Sequence, residues 1–180
     1  MADTIPLAEA HSLVARARAG DFDALEHVYR AYERSVYTLA RRLTKTPEDA
    51  EDVLQETFLE VCRSLGKWRG EGSLWGWIRQ VAASKALMRY RREKVRATEV
   101  LSDDAAVGAC EDVPLRLDLE VALERLPERS RAVVWLHDVE GLTHEEIAEL
   151  MGMTASFSKS QLARAHQKLR VWLGEEGAGP

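Results

Sequence analysis

The chain has 180 residues, 46% of them hydrophobic and 31% charged, with a formal net charge of −5. That balance excludes a disordered chain, and no run approaches the roughly 18 apolar residues of a membrane span. Residues 1–17 lack a basic stretch followed by an apolar one, and Cys62 and Cys110 make neither a disulfide framework nor a metal cluster, so a reduced, cytoplasmic setting is expected.

Helical spacing dominates and strand alternation is absent, which predicts an all-α protein. Leu7 to Ala19 reads as a first amphipathic helix, ended by Gly20. Asp21 caps a longer helix to Leu43, with Leu25, Val28, Tyr32, Val36 and Leu39 at three- and four-residue spacing. Thr46 and Pro47 open a third: a cap hydroxyl, a proline at the first helical position, then Glu48, Asp49, Glu51 and Asp52 against the positive helix end. It reaches Leu65 and stops at Gly66. Ala50, Leu54, Thr57 and Val61 share its inner side, while Asp49, Asp52, Gln55, Glu56 and Leu59 spread over the other. A mixed acidic and apolar face suits a protein partner better than DNA. The plainer reading, surface acids at a helix start, covers Glu48 and Asp49 better than Gln55, Glu56 and Leu59.

After the loop at 67–72, Ser73 caps a basic helix expected to run to Arg92. Between Arg63 and Arg96 the sequence holds ten lysines and arginines against two acids. Trp68, Trp75, Trp77 and Tyr90 interleave with Lys67, Arg69, Arg79, Lys85, Arg89, Arg91 and Arg92. Exposed aromatics stack on unpaired bases while cations hold phosphates, the chemistry of single-strand capture. Trp77 shares a face with Ser73, Val81 and Ser84 and is expected in the core. Trp75 lies on another face and is the better stacking residue. Trp68 fits either role, and a plain solvated helix is the competing reading of the cations.

Periodicity fails from Ala97 to Val113, where acids accumulate: seven between Glu99 and Glu120 against Arg116 alone. This segment reads as a flexible acidic linker. Beyond it, helices are expected around Asp118–Arg125, Glu128–Val139, Thr143–Met151 and Thr154–Leu173, then a frayed tail. Two small helical domains joined by the linker result, with boundaries at 8–95, 96–114 and 115–174.

The last two helices carry the sharpest local signal. Thr143 and Glu146 have capping-box spacing, Gly152 permits a sharp turn, Met153 is expected to plug the angle, and Thr154 caps the next helix. This is helix-turn-helix construction. Ala155, Ser158, Leu162, Ala165, Leu169 and Trp172 form an inward stripe. Ser156, Lys159, Ser160, Arg164 and Gln167 lie outward, where hydroxyls and cations can meet phosphates or base edges. Phe157 has two readings, contact to a thymine methyl or packing on a neighbouring helix.

An acidic docking helix, a basic aromatic helix and a helix-turn-helix, in that order, resemble the sigma-70 family of transcription initiation factors, in particular its extracytoplasmic-function group. Residues 49–61 are similar to the region-two helix that binds the polymerase clamp, 68–82 to the loop and helix that open and read the −10 element, and 126–153 with the following helix to region four, which reads the −35 element. The resemblance implies Asp49, Asp52, Gln55, Glu56 and Leu59 against core polymerase, and Trp68, Arg69, Ser73, Arg79, Lys85, Arg89, Arg91 and Arg92 toward −10 DNA. Ser156, Phe157, Lys159, Ser160 and Arg164 fall toward −35 DNA. Stacking by Trp75 on a −10 base is read from the residues alone. Implied partners are core RNA polymerase, through its beta-prime clamp and beta flap, promoter DNA and an anti-sigma factor, with no cofactor and no membrane. Two departures stand out: the usual Asn and Asp of the basic helix read Ser84 and Met88, and a usual Val-Lys-Ser-Arg run reads Ser158-Lys159-Ser160-Gln161.

No enzyme is expected: the five histidines pair with no serine or cysteine in a nucleophile arrangement, and neither a phosphate loop nor an HExxH pattern occurs. A self-sufficient repressor would need a dimer surface, and an adaptor without DNA contact would leave the cations of 79–92 unexplained.

Overall fold

A computed structural model describes residues 5–98 and 119–174, with no side chain described at Tyr90 or from Arg92 to Thr98. Most of the expected linker, the tail after Gly174 and the Arg92 side chain therefore lie outside the described residues. The chain divides into two compact units, before and after residues 93–94. Among the described residues every regular element is helical.

The first unit holds α1 (Leu7–Arg18), α2 (Phe22–Leu43), α3 (Pro47–Ser64) and α4 (Leu74–Thr98). Sequence chemistry sets the boundaries. Gly20, at φ +90°, turns the chain after α1, and the Asp21 carboxylate accepts from the amides of Asp23 and Ala24 to start α2. Thr46 caps α3 through the Asp49 amide at 3.1 Å, with Pro47 at the first position. α3 does not stop at Gly66; it tightens into a 3-10 turn over Leu65–Lys67. α4 continues past Arg92 to Thr98, longer than expected.

Val28, Tyr32, Val36 and Leu39 of α2 are fully buried, with Leu13 and Val14 of α1, Val53 and Val61 of α3, and Leu74 and Ile78 of α4. Phe58 is buried on α3 as well, whereas Leu54 is only half-buried. The core stripe of α4 runs through Leu74, Ile78, Ala82 and Ala86, one position off the face assigned to Trp77. Trp77 is consequently half-buried at the margin.

The second unit holds α5 (Leu119–Arg125), α6 (Glu128–Val134), α7 (His144–Met151) and α8 (Ala155–Trp172). The helix expected over Glu128–Val139 loosens at its end into a π-helical turn, Trp135–Val139, where the Glu140 amide reaches back to the Trp135 carbonyl. Val133, Leu136, Leu142 and Ile147 are the fully buried centre, closed by Leu162, Ala165 and Leu169 of α8.

Candidate nucleic-acid interface

On α3 the outer face is as expected in part. Asp52, Gln55, Glu56 and Leu59 are exposed, Leu59 by 56%. Asp49 is not a free docking group. Its carboxylate accepts from Thr46 Oγ1 at 2.7 Å and from Arg89 Nε at 2.8 Å, and these bonds hold it below the usual carboxylate range against its partial burial. Arg89 also reaches Asp52, Nη1 to Oδ2, at 3.0 Å. Lys85 meets Glu60 at 3.3 Å in the same seam. Two cations assigned to −10 DNA thus pair with α3 acids, two of which were assigned to polymerase. Lys85 and Arg89, four residues apart on α4, face acids of α3 across these short distances, and opposite charges so placed find each other before they find outside partners.

The loop between the 3-10 turn and α4 exposes Arg69, Glu71 and Ser73, and Ser73 Oγ accepts from the Gly76 amide at 3.0 Å. Trp68 belongs to the core, with 5% exposure and its ring 4.9 Å from that of His11. A buried ring offers no face to a base. Trp75 is half-buried, its ring stacked on Tyr32 of α2 at 5.7 Å and 22°. It is therefore backed on one side by protein. Arg79 is half-buried and Arg91 exposed.

The helix-turn-helix forms as its sequence dictates. The Thr143 hydroxyl caps the Glu146 amide while Glu146 accepts from the Thr143 amide at 2.8 Å. Gly152 takes the left-handed conformation (φ 63°, ψ 38°), and the amides of Gly152 and Met153 return to Glu149 and Ala148. Backbone bonds close the angle; Met153 is exposed by 39% and plugs nothing. Thr154 caps α8 through the Phe157 amide at 3.1 Å.

α8 divides as its spacing predicts. Ser158, Leu162, Ala165 and Leu169 are buried, with Ala155 and Trp172 half-buried. Ser156, Lys159, Ser160, Arg164 and Gln167 are exposed, and Phe157 is half-buried. The two departures in the recognition helix turn inward to polar partners. Ser158 Oγ hydrogen-bonds His144 Nδ1 at 2.9 Å, and Gln161 Oε1 accepts from Ser130 at 2.8 Å. His144 stacks on His137, with centroids 4.5 Å apart, and Asp138 joins His137 (2.9 Å) to His166 of α8 (2.6 Å). Burial, His137 and Lys159 lower the His144 pKa, against the pull of Glu145 and Asp138. Burial alone would raise the Asp138 carboxyl; the bonds from His166 and His137 outweigh it and hold it low. Local periodicity carried no sign of this network, whose members come from three elements.

Residues 28–96 match the family model for Sigma-70 region 2, and residues 116–169 that for Sigma-70, region 4. The chain belongs to the sigma-70 family. Within it, the chain falls in the extracytoplasmic-function group. It is 32% identical over 168 residues to the ECF RNA polymerase sigma factor SigM of Mycobacterium tuberculosis, covering 93% of this chain and 86% of that one. It is likewise 32% identical over 165 residues to the RNA polymerase sigma factor CarQ of Myxococcus xanthus, covering 89% and 95%. The fold is similar to the sigma factor RpoE solved in complex with the anti-sigma factor NepR from Bartonella quintana, with TM-score 0.57, 22% identity and coverage of 84% and 97%. This sigma factor directs promoter-specific transcription initiation with RNA polymerase. Among its described residues no helix is long and apolar enough to cross a membrane.

Proposed function

We propose that the sigma factor divides promoter recognition between its two units. The segment 8–95 docks on core polymerase and captures the opened −10 element, 96–114 links, and 115–174 reads the −35 duplex. On α3 the docking face is Asp52, Gln55, Glu56 and Leu59 against the beta-prime clamp, and the second unit meets the beta flap. Toward −10 DNA stand Arg69, Ser73, Trp75, Arg79, Arg91 and Arg92; toward −35 DNA stand Ser156, Phe157, Lys159, Ser160 and Arg164. The observation that carries this reading is the division of α8, a buried stripe behind an exposed face of hydroxyls and cations on a fully capped helix-turn-helix.

An anti-sigma factor is the further partner, as for the RpoE chain solved with NepR. The protein acts in the cytoplasm, as an initiation factor and not as a catalyst. Run-off transcription from a randomised promoter library, by core polymerase with and without the protein, tests the reading. Specific products should appear only with it, and Glu56→Lys should lower both their yield and core pull-down while leaving the thermal midpoint unchanged. Unaltered pull-down would remove α3 as the docking helix.

A further inference from the structure

The loop that leads into α4 is shaped from beneath by a helix outside the matched region 2. That match begins at residue 28, and α1 spans Leu7–Arg18. The last carbonyls of a helix have no partner within it. Here Arg18 supplies one: its Nη2 donates to the carbonyls of Gly66 at 2.6 Å, Trp68 at 3.1 Å and Leu65 at 3.4 Å. A cation at a helix C-terminus is also favoured by the helix dipole.

Seven residues earlier, two turns along the same face of α1, stands His11. Its ring contacts the buried Trp68 ring at 4.9 Å. It also lies directly under Gly70, where a Cβ would fall 2.1 Å from His11 Cε1, and Gly70 itself sits at φ +77°. Three successive anchors follow: carbonyls on Arg18, an indole in the core, a glycine laid on an imidazole. Between and beyond them Arg69, Glu71 and Ser73 remain exposed.

We infer that His11 and Arg18 are positioning residues for −10 capture, holding the 65–70 backbone so that Arg69 and Ser73 are presented in one geometry. They act through the loop and need not touch DNA. The inference rests on the reading of this loop as a −10 surface.

The test uses holoenzyme and a promoter that the wild-type holoenzyme selects from a random library. Permanganate reactivity of −10 thymines reports opening, and core pull-down reports docking. Arg18→Ala should lower opening on the order of tenfold, the loss of charge-assisted bonds, with pull-down unchanged. Arg18→Lys should recover only part of it, because the shorter lysine side chain sets its ammonium back from three carbonyls that Arg18 reaches with its terminal Nη2. Val14→Ala is the control, since Val14 is a buried α1 residue with no bond to the loop. It should weaken the fold and leave opening at the wild-type level when assayed well below its midpoint. Should Arg18→Ala fail to fold, His11→Ala takes its place, with the same expectation. Wild-type opening by Arg18→Ala, or an equal loss from Val14→Ala, overturns the inference. A wild-type holoenzyme that exposes no −10 thymine refutes the underlying reading of the loop instead.

Discussion

The two units spend their charge in opposite ways. In the first, cations on α4 that look available in sequence are drawn onto α3: Arg89 onto Asp49 and Asp52, Lys85 onto Glu60. In the second, α8 turns Ser158, Gln161 and His166 onto its neighbours and leaves Lys159 and Arg164 exposed. Basic character alone therefore does not mark a nucleic-acid face. A cation on a helix packed beside acids is partly neutralised by its own fold, whereas on α8 the bonds to neighbouring elements run through Ser158, Gln161 and His166 and leave Lys159 and Arg164 exposed.

Charge reversal should break this symmetry most visibly. Asp49→Lys removes an acid from a helix start and sets a like charge against Arg89, which should cost the first unit about 2 kcal/mol. Arg164→Glu should leave the second unit within about 0.5 kcal/mol of wild type. Differential scanning calorimetry of both variants checks the contrast; equal losses would end it.

Neutralisation sharpens the same point. Arg89→Ala should cost about 1 kcal/mol of stability and leave the salt dependence of holoenzyme–promoter binding unaltered. Arg164→Ala should do the reverse, reducing the log–log salt slope by about 1 with the thermal midpoint unchanged. Binding titrations at four salt concentrations distinguish them.

The smallest expected effect is in pH. Burial and the neighbouring His137 and Lys159 depress the His144 pKa, so its neutral form is favoured in the folded state. The unfolded chain then binds the extra proton first. Stability from His144 is complete above the ordinary histidine value of about 6.5 and is lost as pH falls below it. Asp138, also depressed, acts in the same direction but only below the ordinary carboxylate range. Thermal midpoints of the second unit should fall from pH 7.5 to 5.5, and His144→Gln should flatten that decline. A midpoint independent of pH in the wild type would contradict it.

Much of this was legible in the sequence because it is local. Caps at Asp21, Thr46, Thr143 and Thr154, the left-handed Gly152 and the α8 stripe each depend on residues within a few positions of one another. What was not legible depends on partners far along the chain. Trp68 sits in a glycine-flanked loop whose sequence fits either role, and in the structure it is buried with its ring against His11 of α1, more than fifty residues earlier. On α4 the large Trp77 outweighed a stripe completed by Ala82 and Ala86, small residues that pack closely but signal weakly. The π-helical turn at Trp135–Val139, which brings Asp138 to His166 of α8 and His137 to His144 of α7, was not legible in the local spacing.

The most direct test of the central claim, that the α8 outer face reads the −35 duplex while the first unit handles −10, is to sequence the promoters that wild-type and Arg164→Ala holoenzymes select from one random library. The account predicts that the upstream preference relaxes at one or two positions, each contact being worth about 1–3 kcal/mol, while the downstream preference is retained. Identical preferences in both elements, or simultaneous loss of both, would contradict it.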